Sequence, residues 1–147
     1  MSDSSPKPME SSLLAGTRAV VTGGSRGIGA DIVRTFIRSG AEVHYFSRSP
    51  GDAAEEFAGL AKAFGTSVSH HTVDVSDEAA VDEAVKAVLE SGPLDVLVNN
   101  AGITRDGLVM RMKLEDWDAV MNVNLRSAFL CSRAVSRAMI RQRKGSI

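Results

Sequence analysis

Thr17-Arg18-Ala19-Val20-Val21-Thr22-Gly23-Gly24-Ser25-Arg26-Gly27-Ile28-Gly29 decides the fold. The stretch opens as an apolar strand and passes into a glycine-rich turn. Ile28, Ile32, Val33, Phe36 and Ile37 then follow at helical spacing. A turn of this kind at the start of a helix cradles phosphate. Its N–H groups converge on an anion, the helix dipole adds partial positive charge, and missing Cβ atoms let a dinucleotide approach the backbone. The spacing is Gly-x3-Gly-x-Gly rather than the commoner Gly-x-Gly-x-x-Gly, so the reading depends on what surrounds it.

What surrounds it is an unbroken alternation of strand and helix patterns. The first helix ends at Ser39-Gly40, and Glu42 to Ser47 reads as a second strand. Phe57, Leu60, Ala61 and Phe64 mark a second helix closed by Gly65, and Ser67 to Val73 a third strand. Ser76 or Asp77 caps a third helix with Val81, Ala84, Val85, Val88 and Leu89 on one stripe. Gly92-Pro93 ends it, and Leu94 to Val98 is an apolar fourth strand followed by the loop Asn99-Asn100-Ala101-Gly102. The spacing predicts one long helix from Leu114 to Arg143. Its main stripe is Leu114, Trp117, Met121, Leu125, Ala128, Val135 and Met139, with Val120, Val123, Leu130 and Ile140 off it. A helix apolar on more than one face packs against two things, here the sheet and another subunit.

This rhythm predicts an α/β fold, a Rossmann-type doubly wound parallel sheet of strand order 3-2-1-4. That order sets strands one and four side by side at the topological switch point. The glycine turn and the Asn-Asn-Ala-Gly loop then meet in one crevice, where such sheets bind ligands.

The bulk composition bounds the rest. At 147 residues, 44% hydrophobic and 24% charged, the chain is an ordinary globular domain. A net charge of −1 points to neither nucleic acid nor an anionic membrane surface. No stretch reaches transmembrane length, and the expected location is the cytoplasm. Cys131 is the single cysteine, which excludes an internal disulfide and reads as a small buried thiol. His44, His70 and His71 lack the spacing of metal ligands, so no metal is expected. Glu115, Asp116 and Asp118 fall in the first turn of the last helix, where the dipole accounts for them. Residues 1–12 are rich in Ser, Pro and charge and read as a disordered tail, a regulatory tail being the alternative. Residues 13–147 form the folded domain.

Thr22–Gly29, Asp74-Val75, Asn99–Gly102 and Asn122-Val123-Asn124-Leu125 occur in the order and spacing of the short-chain dehydrogenase/reductase family, which the chain resembles from Leu13 to Ile147. Asn99 to Lys113 and Ala128 to Lys144 are similar in particular to the bacterial 3-oxoacyl-(acyl-carrier-protein) reductases. The resemblance implies that Gly23, Gly27 and Gly29 shape the pyrophosphate turn beside Ile28, with Ser25 and Arg26 at the adenosine-ribose phosphate. It places Asp74 and Val75 at the adenine ring, and Asn100, Ala101 and Gly102 along the nicotinamide-side ribose. Asn124 matches an asparagine that organises a catalytic proton relay.

Cofactor choice follows from charge. Family members that prefer NAD carry an acidic residue at the end of the second strand for the ribose 2′-hydroxyl. Here Ser47 and Arg48 stand there, and Arg26 lies nearby in sequence. A carboxylate would repel a 2′-phosphate, whereas arginine attracts it, so NADP(H) is the expected cofactor. Two ordinary surface arginines are the alternative. Asn124 likewise has a plain alternative, an asparagine pointing to solvent. Basic residues at the end of the last helix complement its dipole, with Gly145 suited to C′. In the resembling reductases, basic residues here meet an acidic carrier protein, and Arg143 is the candidate.

The resemblance also implies a serine, a tyrosine and a lysine placed after the fifth strand, the lysine lowering the tyrosine's pKa. Gly145-Ser146-Ile147 reads as the beginning of that strand, and the only tyrosine, Tyr45, has Ser49 four positions later. The expectation is therefore the N-terminal cofactor-binding part of an NADPH-dependent 3-oxoacyl-(acyl-carrier-protein) reductase of fatty-acid synthesis, truncated at the start of the fifth strand. It would lack reductase activity alone, expose strand four as an edge, and be marginally stable or partner-dependent. An acetoacetyl-CoA reductase is the near alternative. A non-catalytic NADP(H)-binding or subunit-pairing module is the alternative of a different class. Expected partners are an acyl-carrier-protein thioester and further copies of the chain, paired through the 114–143 helix.

Overall fold

In the computed structural model, which describes residues 13–147, β1 (Arg18–Thr22) is the centre of the architecture. It pairs in parallel with β2 (Glu42–Ser47) on one side and β4 (Val96–Val98) on the other. β3 (Val68–Thr72) lies outside β2, giving the order β3-β2-β1-β4 that the alternating pattern predicts. The tail expected for Met1–Ser12 lies outside the described residues.

Because successive strand residues point to opposite faces, the central strands bury two apolar layers. Val20, Phe46 and Leu97 face α3 (Glu78–Glu90) and the C-terminal helix, forming a core with Val81, Val85, Val88 and Val135. Val21, Val43 and Tyr45 face α1 (Gly27–Arg38) and α2 (Ala54–Ala63), packing with Val33, Ile37 and Phe57. Asp77, one of the two residues the sequence offers as a cap, starts α3 by accepting the Ala80 N–H at 3.1 Å.

The long last helix differs from its sequence reading. It is helical throughout but divides into α4 (Leu114–Val120), a π-helical stretch Met121–Arg126, and α5 (Ser127–Gln142). The Ser127 hydroxyl donates to the Val123 carbonyl, an intrusion into the backbone ladder of the kind that bends helices. The wider π turn rotates everything that follows. Leu130, Cys131, Val135 and Met139 are buried, whereas Leu114, Trp117 and Leu125 of the expected stripe are exposed. Leu130, read as lying off the stripe, is 2% exposed and in the core.

The end of α5 also differs. Arg143, not Gly145, takes the left-handed position, at φ 52°. Its N–H reaches the Ile140 carbonyl and the Lys144 N–H reaches Met139, closing the helix two residues before the glycine. The chain must stop there to turn onto the sheet. Lys144 pairs with Asp95 at 3.0 Å, and Ser146 pairs in parallel with Val96, its carbonyl accepting the Leu97 N–H at 2.9 Å. Among the described residues no helix is long and apolar enough to cross a membrane.

Candidate dinucleotide site

The carboxyl ends of β1 and β4 are adjacent, and Thr22 locks together the two loops that leave them. Its hydroxyl donates to the Val98 carbonyl at 3.3 Å and accepts the N–H groups of Asn100 and Ala101, each at 3.0 Å. Asn100 returns the link, its Nδ2 donating to the Thr22 carbonyl at 3.0 Å and the Gly23 carbonyl at 3.2 Å. Four of these five hydrogen bonds reach the Asn99–Gly102 loop and hold it against the end of β1 and the glycine turn. Sequence reasoning put Asn100, Ala101 and Gly102 in the site but passed over Thr22, whose only signal is its place as the last residue before the glycines.

Close approach explains two of the glycines. A Cβ on Gly29 would fall 2.0 Å from the Gly23 carbonyl oxygen and 2.5 Å from Asn100 Nδ2. Gly23 has φ +68°, and a Cβ there would meet the Ala101 Cα at 2.9 Å. The helix that follows begins without a side-chain cap. Arg26, at its N-cap, is extended and supplies no side-chain cap, and the first turn contains no acidic residue. The orphan N–H groups and positive dipole end of α1 therefore lie at the mouth of the crevice, beside the 75% exposed Ile28. Such a cradle, closed to side chains and rich in unfilled donors, suits a pyrophosphate.

The loops after β2 and β3 make the other end of the crevice. The Ser47 hydroxyl donates to the Ser49 carbonyl at 2.7 Å, and Arg48 is exposed. Asp74 accepts the Ser76 hydroxyl at 2.6 Å and the Ser76 N–H at 3.0 Å through one carboxylate oxygen. These bonds, with the nearby Arg48 charge as a smaller contribution, hold its carboxyl below the usual aspartate range. Val75 is buried in the α3-side core, so its side chain fixes this loop from beneath. The Ser25 backbone touches the β2 loop, where a Cβ on Gly51 would fall 2.3 Å from the Ser25 carbonyl oxygen. Ser25, Arg26, Ser47, Arg48 and Asp74 are thus carried by three loops at one end of the sheet.

Asn124 does not point idly to solvent. Its Oδ1 accepts the Ile103 N–H at 2.8 Å and its Nδ2 donates to the Ile103 carbonyl at 3.0 Å. The carboxamide imitates a backbone partner for the loop beyond Gly102, and it sits within the π-helical stretch. Asn99 adds a second tie, donating to the Ser132 hydroxyl on α5 at 3.0 Å. Arg143 is remote from this crevice along the chain, exposed at the end of α5. Cys131 is fully buried and its thiol is pushed up to about 11, as expected of a core thiol rather than a nucleophile. No group of three or more His, Cys, Asp or Glu side chains among the described residues could hold a metal ion.

The parallel sheet and its crevice define a doubly wound α/β protein, and the short chain dehydrogenase family model matches residues 17–147. The chain belongs to that family. Its relatives include the 3-oxoacyl-(acyl-carrier-protein) reductases of Chlamydia pneumoniae, 44% identical over 138 residues, and Escherichia coli K12, 41% identical over 133 residues. These alignments cover 91% and 90% of this chain but 54% and 53% of the relatives. Among solved structures, a short chain dehydrogenase from Burkholderia cenocepacia in complex with NADP superposes with a TM-score of 0.78 at 41% identity, covering 85% of this chain and 51% of that one. A double mutant of a Serratia marcescens short-chain dehydrogenase/reductase superposes with a TM-score of 0.79 at 39% identity, with the same shares covered. The chain thus spans about half the length of the relatives it matches.

Proposed function

We propose that this chain binds NADP(H) and forms the cofactor-binding part of a 3-oxoacyl-(acyl-carrier-protein) reductase. The observation that carries the reading is the locked crevice between β1 and β4, with an uncapped helix N-terminus at its mouth and two exposed arginines, Arg26 and Arg48, beside it. The similarity to carrier-protein reductases and to a structure holding NADP supports the choice of reaction and cofactor.

In this reading the turn Gly23–Gly29 receives the pyrophosphate on backbone N–H groups, with Ile28 covering it and Ser25 hydrogen-bonding near it. Arg26 and Arg48 attract the ribose 2′-phosphate, which an acidic residue after β2 would repel. Asp74 and Val75 border the adenine, and Asn100, Ala101 and Gly102 line the far ribose. Asn124 orients the loop at Ile103 toward the reacting end. When bound, NADPH supplies a hydride for a β-keto thioester; the residues assigned here bind and orient it. Arg143, left at the end of α5 while Lys144 engages Asp95, is the proposed contact for the acidic carrier protein. Leu114, Trp117, Leu125 and Phe129, all more than half exposed, make the α4–α5 rod the proposed surface for pairing with another copy.

The test is calorimetric titration of the chain with NADPH and with NADH, repeated for Arg48→Ala. Tighter NADPH binding that collapses toward the NADH value in the variant supports the assignment. Equal affinities in the unsubstituted chain contradict it.

A further inference from the structure

Arg48 is exposed, and no salt bridge among the described residues engages it. Its position is set by the loop around it, and two buried or half-buried rings grip that loop. His70, on β3, places Nε2 3.0 Å from Ser47 Oγ and 3.2 Å from the Ser47 carbonyl oxygen. Because the Ser47 hydroxyl gives its proton to the Ser49 carbonyl, its oxygen is an acceptor toward His70. The His70 ring therefore carries a proton on Nε2, and one N–H bridges both oxygens of Ser47. Tyr45, on β2, is 2% exposed and its hydroxyl donates to the Pro50 carbonyl at 3.1 Å.

The two rings are cross-strand partners in register and pack with centroids 5.0 Å apart. With the Val73 N–H that also donates to the Ser47 carbonyl at 3.0 Å, they act as one clamp holding the backbone at Ser47, one residue before Arg48, and at Pro50, two residues after it. The clamp also seats the loop on the glycine turn. A Cβ on Gly24 would fall 2.6 Å from Tyr45 Cβ, and one on Gly51 would fall 2.3 Å from the Ser25 carbonyl oxygen. Burial alone does not call for the polar atom of either ring. A phenylalanine would fill the Tyr45 position as well, and the His70 nitrogen has no partner but Ser47 among the described residues.

We propose that His70 and Tyr45 are positioning residues for cofactor selectivity, fixing the backbone on both sides of Arg48 so that its guanidinium waits where a ribose 2′-phosphate arrives. The inference rests on the reading of the crevice as an NADP(H) site. Preorganisation of this kind raises affinity for the ligand that uses the arginine and leaves the ligand lacking the phosphate unaffected.

The experiment compares the 147-residue chain with His70→Phe, His70→Gln, Tyr45→Phe and Arg48→Ala. Dissociation constants for NADPH and NADH are measured for each, together with amide exchange at residues 47–49 and 51 without ligand. Loss of one positioning hydrogen bond should weaken NADPH binding about five- to tenfold in His70→Phe and in Tyr45→Phe, with NADH unchanged. Exchange at residues 47–49 and 51 should rise in both, and His70→Gln, which keeps a nitrogen donor, should recover most of the selectivity. NADPH and NADH affinities falling together would overturn the proposal, since the rings would then only support the fold. So would an unchanged selectivity in His70→Phe and Tyr45→Phe while Arg48→Ala abolishes it, which would leave the NADP(H) reading standing. Should Arg48→Ala itself leave the ratio unchanged, the cofactor reading fails, and the clamp proposal with it. Tyr45→Phe removes a single oxygen, so the comparison survives if His70→Phe does not fold.

Discussion

Replacing Gly29 by alanine adds one methyl group at the tightest point of the cradle. The new carbon would lie 2.0 Å from the Gly23 carbonyl oxygen and 2.5 Å from Asn100 Nδ2. Neither neighbour is the loose end of a flexible side chain. The carbonyl is backbone, and the amide is held by the Thr22 and Gly23 carbonyls. Relief requires α1 to retreat from the Gly23 carbonyl and Asn100 to give way as well, which breaks its two hydrogen bonds of about 1 kcal/mol each. Overpacking adds about 1–3 kcal/mol, so the whole cost is roughly 3–5 kcal/mol, a large share of the stability of a small domain. Gly27→Ala is the control two residues away. Gly27 has φ +53° but nothing within 4 Å of its Cβ position, so only the left-handed backbone is penalised, by about 1–2 kcal/mol. Urea unfolding followed by circular dichroism at 222 nm, a wavelength chosen for helix content and so roughly blind to loops, would measure both. A Gly29→Ala variant no less stable than Gly27→Ala would mean that the cradle has room for a Cβ.

Other expectations follow from the same geometry. Asn124→Ala removes both partners of Ile103 and should cost about 1–3 kcal/mol, with faster amide exchange at Gly102–Thr104 as the readout. Burial holds both His44 and His71 below the ordinary histidine value of 6.5. Their folded-state values being depressed, the stability they contribute is complete above about 6.5 and is lost as pH falls below it. His71→Gln should flatten that loss, as followed by denaturation midpoints across pH. Cys131, fully buried with its thiol raised to about 11, should resist a disulfide reagent at pH near 8 until the chain unfolds, after which one thiol is titrated. Leu125→Lys, on an exposed apolar face, should lower the sedimentation coefficient if the α4–α5 rod pairs copies of the chain, while the helix content by circular dichroism stays the same.

Legibility in the sequence was uneven for physical reasons. β2 runs from Glu42 to Ser47 as its apolar pattern indicates, and Asp77 caps α3, because both are local signals. The order β3-β2-β1-β4 follows from the crossover rule acting on an alternating pattern. The π-helical stretch was not legible. A stripe traced at 3.6 residues per turn carries Leu125 inward, and only the Ser127 hydroxyl bond to Val123 shows why the rod rotates there. Thr22 was overlooked because its partners, Val98, Asn100 and Ala101, lie more than seventy residues away in sequence, as the 78-residue separation from Asn100 shows. The Tyr45–His70 clamp depends on β2–β3 register, which no periodicity gives. Asn124 was singled out through resemblance; its grip on Ile103 is a matter of geometry alone.

The most direct measurement is the pair of dissociation constants for NADPH and NADH with the unsubstituted chain. Saturable binding of both is expected, with NADPH tighter by about tenfold or more, the worth of one well-placed charge-assisted contact. Equal affinities would contradict the role given to Arg26 and Arg48, and no binding of either would contradict the crevice itself.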